Sequence, residues 1–327
     1  MLKPDRLFLI LLLLSIVAAG IFIGSLMLGG DLALGFVDIL KALYGNGDSQ
    51  NVQIVRELRL PRAETAFVCG GLLAVAGALM QVLLRNPLAD PYILGISGGA
   101  SVGALTTILF GGSIVMINIS AFSGALAVTL LVFGLAHGGG SWSQIRLLLT
   151  GVVVAAGCGA VISLILVLAP HAQVHSMLFW IMGDASGAAN PRFAAIVLLL
   201  GLVMTLPAAR DLNIMAQGEL AARALGINVR HLRWGLYFLA ALLTASAVTQ
   251  VGTVGFIGLI VPHLVRLAVG NDQRILLPAS ALTGGTLLLA ADTAARTLAA
   301  PIQLPVGVLT ALFGVPAFLF LLARQHR

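Results

Sequence analysis

Long apolar runs alternate with short polar segments along almost the whole chain. Most of the runs are about 17 to 24 residues long, and a helix needs about 20 apolar residues to cross the hydrocarbon core of a bilayer. The pattern therefore predicts ten membrane-spanning helices, at about 7–28, 63–84, 93–110, 115–136, 145–168, 193–206, 234–251, 254–269, 275–291 and 306–322.

Weaker patterns lie between these runs. Residues 36–43 are amphipathic and suit the membrane surface, and residues 170–192 predict a short interfacial helix with Phe179 and Trp180 at headgroup level. Two X-Pro pairs within 85–91 predict a turn that ends the second span. The many glycines inside the spans indicate close helix packing.

Composition supports the same fold class. Of the 327 residues, 59% are hydrophobic and 9% are charged, and the mean hydropathy is +1.06. These values predict an all-α polytopic membrane protein made of one transmembrane domain that covers residues 1–327. Cys69 and Cys158 lie inside apolar runs without a paired spacing and are expected to be small core residues.

The basic residues predict an orientation. Ten spans place both termini on one side, and with cytoplasmic termini that side collects twelve of the 18 lysines and arginines. The net charge of +6 thus indicates membrane orientation, not nucleic-acid binding. Five spans fall in each half, about 1–170 and 191–327, so the second half would be inverted relative to the first.

One polar segment, residues 209–233, interrupts the apolar pattern. It carries a dense group of charges, and such a segment must stand in water on one side of the membrane. Within it, residues 218–226 predict a short helix that ends at a glycine. By the predicted orientation this helix is cytoplasmic and offers a docking surface.

Four stretches carry a family resemblance. They are residues 56–104, which include RLPRAETAFVCGG and RNPLADPYILGISGGASVGA, followed by GELAARALG at 218–226, VGFIGLIVPHLVRL at 254–267 and LPVGVLTALFGVPAFLFLL at 304–322. In order and position they resemble the FecCD-type permeases of bacterial ABC importers, which carry ferric siderophores, haem or cobalamin inward. The similarity extends from about residue 28 to the C-terminus.

The resemblance implies a separate motor. The chain has no GxxxxGK[ST] loop, so ATP and Mg²⁺ would be used by an ABC ATPase subunit, present in two copies, and this chain would be a transport subunit that is not itself an enzyme and binds no cofactor or metal. The short helix would be the coupling helix that sits in a groove of the ATPase; the alternative is a solvated loop helix. The residues assigned to it are Gly218, Glu219, Leu220, Ala221, Ala222, Arg223, Leu225 and Gly226.

The resemblance also implies two further surfaces. Arg59, Arg62 and Arg296 match the arginines that meet glutamates of a periplasmic binding protein, a role that suits the planar guanidinium fork. Alternatively, Arg59 and Arg62 anchor a helix at headgroups, and Arg296 pairs with Asp292 one turn earlier.

A cytoplasmic gate is expected where two turns meet. The residues assigned to it are Asn86, Leu88, Gln144 and Ile145. The plain alternative for the first two is an ordinary helix-ending turn.

Two motifs also fit functions of other classes. Residues 95–98 and 136–140 fit the GxSG and AHxxG motifs of rhomboid-like serine proteases, with Ser97 and His137 as the catalytic pair. His171 and His175, four residues apart, fit a metal or haem ligand pair, although a solvated pair is the simpler interpretation. The scarcity of charge at helix centres argues against an ion-coupled carrier.

The complete expectation is a multi-pass subunit of the bacterial inner membrane. Two copies would form one pathway as a homodimer, with the two ATPase subunits inside and one binding protein outside. Its cargo would be a metal chelate.

Overall fold

The computed structural model describes residues 4–29, 34–45, 49–136, 143–187 and 191–325. The first part of the chain forms α1 (Pro4–Met27), α2 (Phe36–Tyr44), α3 (Ser49–Gln53), a π-helical turn (Ile54–Arg59), α4 (Leu60–Leu84), a 3₁₀ turn (Pro91–Leu94), α5 (Ile96–Leu109), α6 (Ile114–Ala136) and α7 (Gln144–Leu168). The rest forms α8 (His171–Met182), α9 (Arg192–Thr205), α10 (Ala209–Gln217), α11 (Glu219–Ala224), α12 (Val229–Val251), α13 (Ile257–Val269), α14 (Gln273–Thr297) and α15 (Val306–Gln325).

The all-α polytopic class is confirmed. Among the described residues, six helices are long and apolar enough to cross a membrane: α1, the continuous run Gln50–Leu84, α6, α7, α12 and α14. Helices α9 and α10 form a seventh candidate that is bent by 70°, and α5, α13 and α15 are shorter apolar helices. The ten predicted segments fall on these elements, while the number of complete spans, the sidedness and the inverted halves stay predictions.

Helix α4 lies at the centre of the bundle. Nearly all of its length is buried, and α1, α9, α12, α13 and α14 pack around it. Glycines allow the closest approaches: a side chain at Gly77 would overlap the carbonyl oxygen of Gly258 in α13, and one at Gly70 would overlap that of Gly284 in α14. Close packing at glycines, expected from the sequence, is therefore present.

The peripheral helices show the opposite pattern. Helices α1 and α7 expose most of their apolar side chains, which suits contact with lipid. The expected short helix at 170–192 is α8, and the amphipathic piece at 36–43 is α2.

Several predicted helix ends were wrong. The second span was expected to begin at about residue 63, but its helix is continuous from Gln50. The seventh span was expected to begin near Trp234, but α12 begins at Val229 because the Asn228 side chain caps it and accepts from His231 N at 3.2 Å. The ninth span was expected to end at Ala291, but α14 continues to Thr297. The extra turn carries Asp292 and Arg296, whose charges are paired inside the protein.

Candidate functional site

Two polar surfaces lie at opposite ends of α4. One surrounds Arg62, in the first turn of α4, and the other surrounds Arg85, directly after its last turn. From Arg62 to Arg85 the chain advances 23 residues, roughly 35 Å at 1.5 Å per residue. The protein can therefore meet different partners at its two ends while one buried helix joins them.

The segment α10–α11 is attached to the bundle at α14. Asn213 of α10 donates to Asp272 Oδ1 at 2.9 Å and accepts from Gln273 N at 2.9 Å. Asp272 also caps α14 by accepting from Arg274 N. The polar start of α14 thus fixes α10 against the helix that packs on α4.

A second attachment joins α11 to α12 through Glu219. Its Oε1 accepts from Arg223 Nη2 at 2.7 Å, and its Oε2 accepts from Arg233 Nη2 at 2.6 Å. Arg223 lies at i, i+4 from Glu219 in the same helix, a spacing that the sequence shows, whereas the buried partner Arg233 was not predicted. Burial raises the pKa of Glu219, but the two guanidinium groups outweigh this effect and hold the pKa below its ordinary value.

The tip of α11 is bounded by two glycines with positive φ. Gly218 (φ 140°) allows the sharp turn from α10, and Gly226 (φ 78°) ends the helix, after which Ile227 N donates back to Ala222 O at 3.0 Å. Ala222 is buried, while the side chains of Leu220 and Leu225 are 85% and 64% exposed. The segment therefore presents an apolar tip on a polar base.

An open cleft of about 620 Å³ lies beside this tip. Its lining comprises Arg85, Gln217, Gly218, Glu219, Leu220, Ala221 and Arg223. Because Arg85 follows the last residue of α4, the cleft places α11 next to the turn that leaves α4. The expected coupling residues and the expected gate are thus neighbours.

The two predicted gate turns meet in the structure. Gln144, at the start of α7, donates to Leu83 O at 3.1 Å and accepts from Arg85 Nη2 at 3.2 Å. Asn86 accepts from Leu88 N at 2.9 Å, which is the local geometry of a turn, and Ile145 is exposed. Asn86 therefore forms an ordinary turn after α4, which was the alternative interpretation. A gating role for the four residues stays a prediction.

The three predicted docking arginines do not form one surface set. Arg59 is buried and donates to the carbonyl oxygens of Leu26, Met27 and Gly29 at 2.7, 3.2 and 3.3 Å. These groups belong to the C-terminal end of α1, where a helix leaves its carbonyls without internal partners and attracts positive charge. Arg59 thus caps α1, which differs from both sequence-based interpretations.

Arg296 is buried beside it. Its Nη2 donates to Ser25 O at 3.2 Å and to Ser25 Oγ at 2.9 Å, and its Nε lies 3.4 Å from Asp292 Oδ2. The internal pair with Asp292, weighed as the alternative, is therefore present. In this structure neither Arg59 nor Arg296 is presented at the surface.

Arg62 reaches the surface from the same cluster. Its Nε and Nη2 donate hydrogen bonds to the fully buried carboxylate of Asp292 at 2.8–3.1 Å. Nη2 also lies 4.0 Å from Asp184 Oδ1. Its Nη1 donates to the exposed Gln303 side chain at 3.2 Å. Sequence reasoning had paired Asp292 with Arg296 alone and had not assigned Gln303 a role.

The structure gives little support to the remaining candidates, the histidine pair and the protease pair. His175 packs against Phe179 with ring centroids 4.6 Å apart, and no group of three potential ligands for a metal ion occurs among the described residues. For the protease reading, His137 lies outside the described residues. Ser97 lies in the first turn of α5, and its carbonyl oxygen accepts from Ser101 Oγ at 2.8 Å.

Comparison with known proteins gives consistent matches. Residues 9–324 match the model of the FecCD transport family. The chain is 42% identical over 277 residues to the hemin transport system permease protein HmuU of Yersinia pestis, covering 82% of this chain and 83% of that protein. It is 43% identical over 273 residues to the cobalamin import system permease protein BtuC of Halobacterium salinarum, covering 82% and 73%.

A solved structure shares the whole architecture. It is described as an inward-facing conformation of a transporter assigned to the metal-chelate type of ABC transporters. It superimposes with a TM-score of 0.83 at 31% identity, over 97% of this chain and 99% of that chain.

Proposed function

Because this chain belongs to the FecCD transport family, we propose that it is the permease subunit of a binding-protein-dependent ABC importer for a metal chelate. It forms the membrane pathway, and a separate ATPase supplies the energy. The rhomboid-like alternative gains no support, since the matching family is a transport family.

The observation that carries the proposal is the construction of α10–α11. Its tip exposes Leu220 and Leu225, which a solvated loop helix has no need to present, while its base is tied by charged and polar bonds to α12 and α14. Both of those helices pack on α4. An apolar tip on a rigid base is suited to sit in a groove of a partner and to pass its movement into the bundle.

The mechanism follows from these attachments. ATP binding would close two ATPase subunits on each other, each carrying one α11 with it. Through Glu219 and Arg233 the movement would reach α12, and through Asn213 it would reach α14. The turn at Arg85 and Asn86, beside α11, would open or close as the bundle alternates between its two facing states.

The cargo class comes from the relatives. One is named for hemin, one for cobalamin, and the structural neighbour for metal chelates. The hemin and cobalamin permeases are 42% and 43% identical to this chain, which favours a large metal-containing chelate without selecting one. We further propose a homodimer in a bacterial inner membrane, with termini and α11 in the cytoplasm and Arg62 outside.

Reconstitution with the ATPase tests the proposal. In proteoliposomes, Leu220→Glu places a charge on the exposed tip and should lower binding-protein-stimulated ATP hydrolysis and chelate uptake at least tenfold, because burying an unpaired carboxylate in an interface is costly. Leu220→Met keeps the apolar tip and serves as the matched control.

The same preparation identifies the cargo. Uptake would be compared for radiolabelled cobalamin, hemin and ferric citrate, with one of them accumulating in an ATP-dependent manner. Equal uptake and hydrolysis by Leu220→Glu and the wild type would refute the coupling assignment.

A further inference from the structure

Arg62 is held by three separate parts of the chain. Asp292 of α14 accepts from its Nε and Nη2, and Gln303 before α15 accepts from its Nη1. Asp184, after α8, lies 4.0 Å from Nη2. The two edges of the guanidinium therefore have different environments. The Nε/Nη2 edge faces a buried carboxylate, and Nη1 faces a neutral, exposed amide.

The pair with Asp292 is fixed. Asp292 is fully buried, so removing Arg62 would take away the hydrogen bonds that its carboxylate accepts and leave it only the Arg296 contact at 3.4 Å. The Arg296 guanidinium also contacts Asp292 and is itself held by Ser25. Asp292 thus sets the direction in which the Arg62 fork points.

The bond to Gln303 is exchangeable. Gln303 is exposed and offers a neutral oxygen, which is a weaker acceptor for a guanidinium than a carboxylate. The surrounding charge favours such an exchange: Arg59, Arg62 and Arg296 bring three positive charges to this cluster, against Asp292 and the more distant Asp184. An incoming anion therefore meets unbalanced positive charge.

We propose that Asp292 is a positioning residue for partner docking: it orients Arg62 so that Nη1 takes a carboxylate of the substrate-binding protein in place of Gln303. This inference rests on the proposed importer function. Docking would leave the Arg62–Asp292 fork intact and exchange one bond at its exposed corner. Gln303 would act as a weak competitor that keeps Nη1 satisfied in the undocked protein.

Removal of the Gln303 side chain is the sharpest test of this proposal. The affinity of the permease–ATPase complex, reconstituted in nanodiscs, would be measured for the purified binding protein that stimulates its ATP hydrolysis. Gln303→Ala should tighten docking about threefold, because the incoming carboxylate no longer displaces a hydrogen bond. Gln53→Ala, the same change at an exposed position of α3, is the matched control and should not alter the affinity.

Two further variants separate positioning from folding. Asp292→Asn should weaken docking about tenfold and flatten its dependence on salt, because Arg62 is no longer held in one direction. Adding Arg62→Gln should abolish the gain from Gln303→Ala, since both changes act on the same bond. If Asp292→Asn fails to fold, the Gln303→Ala and Arg62→Gln pair still decides whether Nη1 exchanges Gln303 for the partner's carboxylate. Asp292→Glu, which keeps the charge but displaces the carboxylate, then tests the positioning, and unchanged docking by that variant would overturn it.

The outcomes are distinguishable. If no binding protein stimulates ATP hydrolysis by the wild-type complex, the proposed function itself is overturned. Wild-type docking that Gln303→Ala leaves unchanged or weakens would overturn only the role of Asp292 and Arg62. A Gln303→Ala effect on retention of anionic lipid, with docking unchanged, would overturn it in favour of a headgroup contact.

Discussion

At the scale of residues, this protein uses its few charges in pairs that join distant parts of the chain. Glu219 connects α11 to α12, and Asp292 connects α4 to α14. In both cases a carboxylate meets arginines in a partly or fully buried position, where removal of one partner is costly. These pairs fix the two candidate surfaces to the bundle.

The Glu219 pairs predict a pH-dependent stability. Since the folded protein holds the pKa of Glu219 below its ordinary value of 4.5, the stabilisation is complete above about pH 4.5 and is lost as the pH falls through the lowered pKa. At pH 7, Glu219→Gln should reduce the free energy of unfolding by about 1–2 kcal/mol. Thermal unfolding of both proteins from pH 7 to pH 3 should show the difference disappearing in acid.

A double variant controls that measurement. In an Arg223→Gln, Arg233→Gln background, Glu219→Gln should no longer show the pH-dependent difference, because both cations are absent. A loss from Glu219→Gln that stays constant down to pH 3 would show that the side chain acts by packing and not by its charge.

For each carboxylate, the sequence indicated only the arginine that lies on the same helix. The i, i+4 spacing of Glu219 and Arg223 is visible in one helix, whereas Arg233 lies 14 residues from Glu219 and becomes a partner only once α12 is placed. Arg59 shows the same limit. Its position in RLPR identifies it within the family pattern, but capping of α1 depends on contacts 30 to 33 residues away.

At the scale of elements, apolar runs located the helices reliably, whereas helix ends that lie in polar sequence were not predicted. Segments such as 115–136 and 145–168 agree with α6 and α7 to within one residue. The ends of α12 and α14 were misplaced because a cap at Asn228 and a buried pair at Asp292 extend helices into polar sequence. The 70° bend between α9 and α10 likewise lies where apolar sequence gives way to polar sequence.

Helix packing at glycine gives a prediction at this scale. Gly77→Ala should destabilise the protein by about 3 kcal/mol, because a methyl group there overlaps the backbone of Gly258 and forces α4 and α13 apart. Gly157→Ala in α7 is the matched control: nothing lies within 4 Å of the added carbon, and alanine favours helix.

Thermal unfolding in one detergent would compare these two variants with the wild type. The control should melt at or slightly above the wild-type temperature, and Gly77→Ala well below it. Equal melting of the two variants would mean that the α4–α13 contact is not as close as the structure has it.

At the scale of the whole molecule, α4 joins two surfaces of different chemistry. The end that carries α11 presents exposed leucines beside a cleft, and the other end presents one guanidinium corner within a cluster of arginines. The importer function proposed above requires one face for a motor and another for delivery of the cargo. Hydrophobic pattern and family resemblance predicted the two faces, but the buried bonds that hold them became visible only in the structure.

The most direct test is side-specific labelling of the two faces. In a variant with Cys69→Ala and Cys158→Ala, single changes Gln217→Cys and Gln303→Cys would be exposed to a membrane-impermeant maleimide in intact, sealed cells stripped of their outer membrane. Gln303→Cys should label at once and Gln217→Cys only after the membrane is permeabilised. Labelling of both positions from the same side would contradict the arrangement on which the importer account depends.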